Sequence, residues 1–162
     1  MSTGSFQVSE TDHQRLAADL AQVSPRELIL SDNLLQESEL RLTAEQAGGA
    51  LSPVPRAFFD SSTATDRLAH YFGVKTLDGF GTFSRAELSA AAGILAYIEK
   101  TQLGERPPLD PPVREAGAGR MLIDPATRAN LELSRTLSGE KQGSLLATID
   151  RTVTGGGSRL LA

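Results

Sequence analysis

The sequence contains no cysteine and no tryptophan, and aromatic residues make up only 5% of its 162 positions. The lack of cysteine excludes disulfides, thiolate metal sites and cysteine nucleophiles, and it suits the reducing environment of the cytoplasm. No apolar run reaches the roughly 20 residues that a membrane span requires, and the first ten residues lack the basic and then apolar pattern of a signal peptide. We therefore expect a cytoplasmic protein without a membrane partner, with a core built from aliphatic side chains.

Acidic residues slightly outnumber basic ones. The chain holds 16 Lys and Arg residues against 20 Asp and Glu residues, which gives a formal net charge of -4. Nucleic acids are bound largely by basic side chains that displace counterions from the phosphates, so we expect this chain to bind DNA or RNA poorly on its own. A length of 162 residues is enough for one ordinary domain or two small ones, and the 40% of hydrophobic residues can form a core.

Proline is concentrated in residues 104–119, which hold four of the eight prolines in the sequence. Proline fixes φ and has no backbone N–H, so neither a helix nor a central strand is expected to continue through this region. The composition predicts a partly extended linker between two units, residues 1–103 and residues 120–162.

Short apolar runs alternate with helical patterns in the first unit. The predicted strands are residues 4–8, 27–30 and 57–59, and the predicted helices are residues 10–21 and 60–72. A third helix is predicted to begin at a capping box formed by Ser84 and Glu87. Strands that alternate with helices in this way indicate an α/β layer.

The second unit has helical signals only. Asp124 precedes a proline in the first helical position, which is a strong start signal. A second helix is predicted to begin after Ser144. Thr154 is expected to cap a last helix, although the glycines at 155–157 are poor helix formers. We therefore predict an all-α segment.

The common catalytic motifs are missing. The run Ser138-Gly139-Glu140-Lys141 has neither the spacing nor the following Ser or Thr of a phosphate-binding loop, GxxxxGK[ST]. No Gly-x-Ser-x-Gly elbow occurs. The two histidines, His13 and His70, have no partner at metal-ligand spacing. From its residues alone, the chain is expected to be no enzyme and to contain no catalytic, cofactor-binding or metal-binding residue.

Four carboxylates are candidates for a site of metal-dependent phosphodiester cleavage: Asp60, Asp66, Asp78 and Asp124. Asp60 and Asp124 occupy predicted helix N-caps, and Asp78 occupies a predicted turn. These positions favour structural roles.

Three stretches, in this order and spacing, resemble the MutS family of bacterial DNA mismatch-repair proteins. They are residues 72–81, FGVKTLDGFG; residues 121–133, MLIDPATRANLEL; and residues 143–161, which contain GSLL, IDRTVT and GSRLL. Weaker similarity at residues 2–6 and 28–32 makes the resemblance collinear over almost the whole chain. The motif residues, which are expected to have structural roles, are Phe72, Gly73, Leu77, Asp78, Gly79, Phe80, Gly81, Asp124, Thr127, Arg128, Asn130, Leu131, Asp150, Thr152, Thr154 and Arg159.

The resemblance implies a domain organisation. Residues 1–103 are expected to form an N-terminally incomplete connector domain with an RNase-H-like α/β layer. Residues 104–119 would be a linker, and residues 120–162 the start of the helical core, or lever, domain. In the family, the connector links the mismatch-reading domain to the core and the ATPase, and it helps to dock the next repair protein, MutL.

The resemblance also implies partners for the full-length protein. These are mispaired double-stranded DNA, MutL, a second copy in a homodimer, and ATP with magnesium. The family's Phe-x-Glu wedge domain, clamp and ATPase have no counterpart here, so the chain is expected to be a piece of such a protein and to bind no cofactor itself. Two alternatives remain open, an RNase-H-like metal-dependent nuclease and a stand-alone protein-docking module.

Overall fold

The computed structural model describes residues 4–102, 107–115 and 123–161, without the side chains of residues 159 and 160. Helices and strands are mixed, which confirms the α/β character of the first unit. The strands are β1 (Gln7–Val8), β2 (Glu27–Ser31), β3 (Ala50–Val54) and β4 (Val113–Arg114). The helices are α1 (Leu16–Val23), α2 (Ser38–Gln46), α3 (Ala64–Phe72), α4 (Arg85–Thr101), α5 (Pro125–Asn130), α6 (Leu145–Ile149) and α7 (Gly155–Leu161). Short 3₁₀ turns occupy Leu34–Gln36, Arg56–Phe59 and Asp78–Phe80.

The described strands form two parallel pairs. Strand β2 pairs with β3, with Glu27 opposite Ala50, and α2 makes the crossover between them. Strand β1 pairs with β4, with Gln7 opposite Val113. Parallel pairing requires a long connection, and the second pair is joined through most of the first unit.

Residues 107–115 lie along β1. The backbone N–H groups of Asp110, Val113 and Glu115 donate to carbonyls of residues 4, 6 and 8 at 2.8, 3.0 and 2.8 Å. The two prolines at 111 and 112 fall between these donors, so their missing N–H groups interrupt nothing. This part of the proline-rich region therefore belongs to a sheet, which its composition did not predict. Residues 104–106 and 116–119 lie outside the described residues, and the domain boundaries stay predictions.

The strand predicted at residues 57–59 is wrong. Residues 56–59 form a 3₁₀ turn in which the Phe58 N–H donates to the Pro55 carbonyl at 2.9 Å. Proline presets φ for such a turn. The helix predicted over 60–72 begins at Ala64, because Asp60 instead accepts hydrogen bonds from the amide and hydroxyl of Ser62. The helix predicted over 10–21 begins at Leu16.

The predicted end of a helix at Gly73 and the predicted starts of helices at Ser84 and Asp124 are confirmed. Gly73 ends α3 in the left-handed conformation with φ 67°. Ser84 accepts from the Glu87 N–H at 3.3 Å, and the Glu87 carboxylate accepts from the Ser84 N–H at 2.7 Å, which completes the capping box. Asp124 accepts from the Thr127 N–H at 2.9 Å.

After residue 122, the described elements are the three short helices α5, α6 and α7. Ser144 caps α6 by accepting from the Ala147 N–H at 3.2 Å. Thr154 caps α7 by accepting from the Gly157 N–H at 3.1 Å. The glycines at 155–157 lie inside this helix despite their low helix propensity.

The core of the first unit lies between β1, α3 and α4. Leu68 of α3 and Leu95 of α4 are completely buried. Phe6, Val8, Leu77 and Ala91 complete this cluster. Aliphatic side chains dominate it, as the composition led us to expect.

Gly93 allows the Arg56–Phe59 turn to pack closely on α4. A Cβ atom at this position would overlap the ring of Phe59. Glycine inside a helix costs about 1 kcal/mol relative to alanine, so its presence here is explained by this close contact.

We expect Gly93→Ala to lower the free energy of unfolding. Overpacking costs about 1–3 kcal/mol, which exceeds the gain of about 1 kcal/mol in helix propensity. Urea unfolding measures the change. Gly79→Ala is the control because a Cβ at Gly79 meets nothing within 4 Å. In a Phe59→Leu background the Gly93→Ala substitution should be less harmful, and an equal loss in both backgrounds would contradict this explanation.

Candidate functional site

The motif residues of 72–81 form a turn that is anchored to the core by aromatic rings. The ring of Phe72 stacks on Phe6 at 6.4 Å and meets the edge of Phe80 at 5.6 Å, measured between ring centroids. Leu77 is buried in the same cluster. These motif residues therefore hold the turn in place.

Two motif glycines give this turn its shape. Gly73 has φ 67° and lets the Val74 N–H donate back to the Ala69 carbonyl at 3.0 Å, a Schellman-type helix end. Gly81 has φ 122°, which side chains rarely allow. Asp78 and Gly79 are exposed at the tip of the turn.

A surface groove of about 460 Å³ runs beside this turn. We call it the turn groove; its lining includes Lys75, Asp78, Phe83 and Leu88. Lys75 and Asp78 are exposed, whereas Phe83 and Leu88 are partly buried against the core. The turn groove thus offers one positive charge, one negative charge and an apolar floor, a combination that suits a polypeptide surface.

The motif residues of α5 have local structural roles. The Thr127 hydroxyl and amide both donate to Asp124, at 2.5 and 2.9 Å, and these bonds lower the pKa of the Asp124 carboxyl. The Nε of Arg128 is buried without a hydrogen-bond partner among the described residues. Asn130 and Leu131 lie at the exposed C-terminal end of the helix.

A second local group precedes α7. Thr152 donates to Asp150 through its hydroxyl at 2.6 Å and its amide at 2.8 Å, and these bonds lower the pKa of the Asp150 carboxyl. Thr154 caps the helix, and the backbone of Arg159 lies within it. Within the described part of the chain, no hydrogen bond or ion pair joins either of these groups to the turn at 72–81.

Glu87 forms an ion pair that is not evident from the sequence. The Glu87 side chain is fully buried, and its Oε1 accepts from Arg114 Nε at 2.8 Å. The Nη2 of the same arginine lies 3.5 Å from a carboxylate oxygen of Glu10. The capping box identified Glu87, but no local pattern points to a partner 27 positions further along the chain.

Glu87 therefore forms hydrogen bonds with both α4 and β4. Its Oε2 accepts from the Ser84 N–H at the start of α4, and its Oε1 binds the arginine of β4. A buried carboxylate is tolerated only when it is paired and hydrogen-bonded. The position of β4 on α4 is consequently linked to the cap of that helix.

Residues 4–102, 107–115 and 123–161 contain no group of three or more His, Asp or Glu side chains that could hold a metal ion. No helix in these ranges is both long and apolar enough to cross a membrane.

Comparison with known protein families gives a match for most of the chain. Residues 1–110 match the family model for MutS domain II. The match includes β1, the core helices α3 and α4 and the turn groove, and it ends within the segment that runs along β1.

We expect Arg114→Met to lower the free energy of unfolding by about 2–3 kcal/mol, because it leaves a buried carboxylate without its cation. Urea unfolding measures the loss. Arg41→Met is the matched control, since Arg41 and Glu45 are both more than half exposed at 3.7 Å and such pairs contribute at most about 1 kcal/mol.

The double variant Glu87→Gln/Arg114→Met tests the pairing itself. Gln retains an oxygen for the Ser84 cap and removes the uncompensated charge, so the double variant should lose less stability than the two single losses combined. Simple additivity would show that the two side chains do not interact.

Proposed function

The chain belongs to the MutS family of DNA mismatch-repair proteins, and we propose that it acts there as the connector between the mismatch-reading domain and the core with its ATPase. The observation that carries this proposal is the parallel pairing of β1 with β4. The chain runs through β1 near the beginning of the matched region and through β4 just after its end. The strand that follows the matched region thus lies directly beside a strand within that region.

Parallel pairing determines how this connection would carry force. Because β1 and β4 run in the same direction, the backbone enters β1 at one end of the pair and leaves β4 at the other. A pull between these two ends loads the backbone hydrogen bonds together, in shear. The ion pair of Arg114 with Glu87 adds a side-chain attachment at the exit. This geometry supports a connector that transmits a displacement instead of absorbing it.

The turn groove supports a docking role for the next repair protein, MutL. Its anchored turn offers a preformed surface, and Lys75 and Asp78 are free to meet charges of a partner. Preformed surfaces bind with a smaller entropy cost than surfaces that order on binding. We assign MutL docking to this groove.

The remaining parts of the proposal follow from family membership. We propose that the full-length protein binds mispaired DNA as a homodimer and uses ATP with magnesium, whereas the present residues do no catalysis. The proposal includes an RNase-H-like topology for residues 1–103 and core-domain membership for residues 120–162. The β1–β4 and β2–β3 parallel pairs and the helices after residue 122 are compatible with both assignments.

In a complete MutS protein that carries this chain as its connector, we expect Arg114→Met to weaken the stimulation of ATP turnover by mismatched DNA about fivefold or more. Basal ATP turnover and binding of the mismatched duplex should persist, because the variant acts on the connection. Arg41→Met is again the control. Hydrogen exchange at the Val113 and Glu115 amides verifies that the strand pair has loosened. Loosened strands with undiminished stimulation would contradict the coupling role.

We expect the immobilised chain to capture purified MutL, and Lys75→Glu to reduce this capture about tenfold by placing a like charge in the contact. Arg56→Glu provides the control because Arg56 is an exposed arginine that lines a different groove. Equal losses from the two charge reversals would indicate a general electrostatic effect and would remove the assignment of MutL docking to the turn groove.

A further inference from the structure

A pocket lined only by aliphatic side chains lies between α1, β2 and α2. Its walls are six leucines and Ala44, and its volume is about 300 Å³. All six leucines remain partly exposed, and only Ala44 is buried. An apolar cavity of roughly 150 Å³ can hold a benzene molecule. This leucine pocket is about twice that size and is open enough to receive aliphatic groups from outside.

The acidic excess of the chain is concentrated in the elements that form the leucine pocket and in the segments next to them. Residues 10–45 contain eight carboxylates and three arginines, whereas the rest of the chain has one more basic than acidic residue. Glu37 and Glu39 stand at the start of α2, immediately before the wall residue Leu40. Both side chains are exposed, and neither forms a hydrogen bond or ion pair with another described residue. Their charges are therefore available to a partner.

The acidic surroundings and the apolar lining of the leucine pocket together indicate what kind of molecule would bind there. A second copy of the chain docked through this face would bring like charges together, which is unfavourable. An anionic membrane surface would be repelled for the same reason. A fatty acid would find no polar side chain in the lining to bind its carboxylate. A polypeptide with apolar side chains next to positive charges would match both the apolar lining and the acidic surroundings.

We propose that the leucine pocket is a docking site for a basic amphipathic helix of a partner protein. Aliphatic side chains on one face of that helix enter the pocket, as in other helix-in-groove complexes. Its Lys or Arg residues then face Glu37 and Glu39 at the start of α2. This surface is distinct from the turn groove, and the proposal does not depend on MutL docking.

The probe is a synthetic peptide of about 18 residues, five helical turns, with Leu on one face and Lys on the other. Two reference peptides accompany it, a scrambled sequence of the same composition and a version with Glu in place of Lys. Calorimetric titration against the 162-residue chain measures binding. The Leu/Lys peptide should bind at least about tenfold more tightly than either reference.

Variants locate the binding to the pocket. Ala44→Leu fills the pocket from within and should weaken peptide binding about tenfold. Leu42→Ala is the matched control, because Leu42 lies on the same helix but is 52% exposed and lines no part of the pocket. The surface double variant Glu37→Gln/Glu39→Gln leaves the lining intact. It should weaken peptide binding at low salt. The difference in affinity between this variant and the unaltered chain should become smaller as the salt concentration rises, because salt screens the charges.

Three results would overturn the proposal. They are equal binding of the three peptides, binding that Ala44→Leu leaves unchanged, and binding that neutralisation of Glu37 and Glu39 leaves unchanged at low salt. If Ala44→Leu fails to fold, the salt dependence of the Glu37→Gln/Glu39→Gln variant decides. If Lys75→Glu abolishes MutL capture but leaves peptide binding intact, the leucine pocket and the turn groove act as independent sites.

Discussion

The buried carboxylate of Glu87 constrains the path of the chain through the first unit. One of its oxygens is committed to the cap of α4 and the other to Arg114 on β4. A carboxylate at this depth without its partners would cost several kcal/mol, so the helix start and the strand must keep their relative positions. The alignment of β4 with β1, and with it the course of residues 107–115, depends on this constraint.

The two surfaces proposed for partners are formed by different elements around this fixed framework. The turn groove follows α3 and is held by the rings of Phe72 and Phe80, whereas the leucine pocket lies between α1, β2 and α2. The completely buried Leu68 and Leu95 belong to the framework, not to either surface. The proposed connector role requires this division, because a domain that transmits displacement must remain rigid while its exposed elements engage partners.

Sequence reasoning succeeded where the chemistry is local. Gly73, Ser84 and Asp124 were identified as helix ends because a left-handed glycine or a capping oxygen acts within four residues. It failed at residues 57–59, where an apolar run indicated a strand. There Pro55 starts a 3₁₀ turn, and the ring of Phe59 packs against Gly93 of α4. The individual roles of the motif residues as core anchors, turn formers and caps became evident only from the structure.

Patterns in the sequence alone were sufficient for the helix caps and for the resemblance to the MutS family. The tertiary structure decided that residues 107–115 join a sheet, that Glu87 pairs with Arg114, and that leucines from α1, β2 and α2 surround one pocket. The reason is the range of the interactions involved. A cap or a glycine turn is determined by neighbours along the chain, whereas strand pairs, buried ion pairs and pockets join residues that are distant in sequence and become neighbours only when the core has formed.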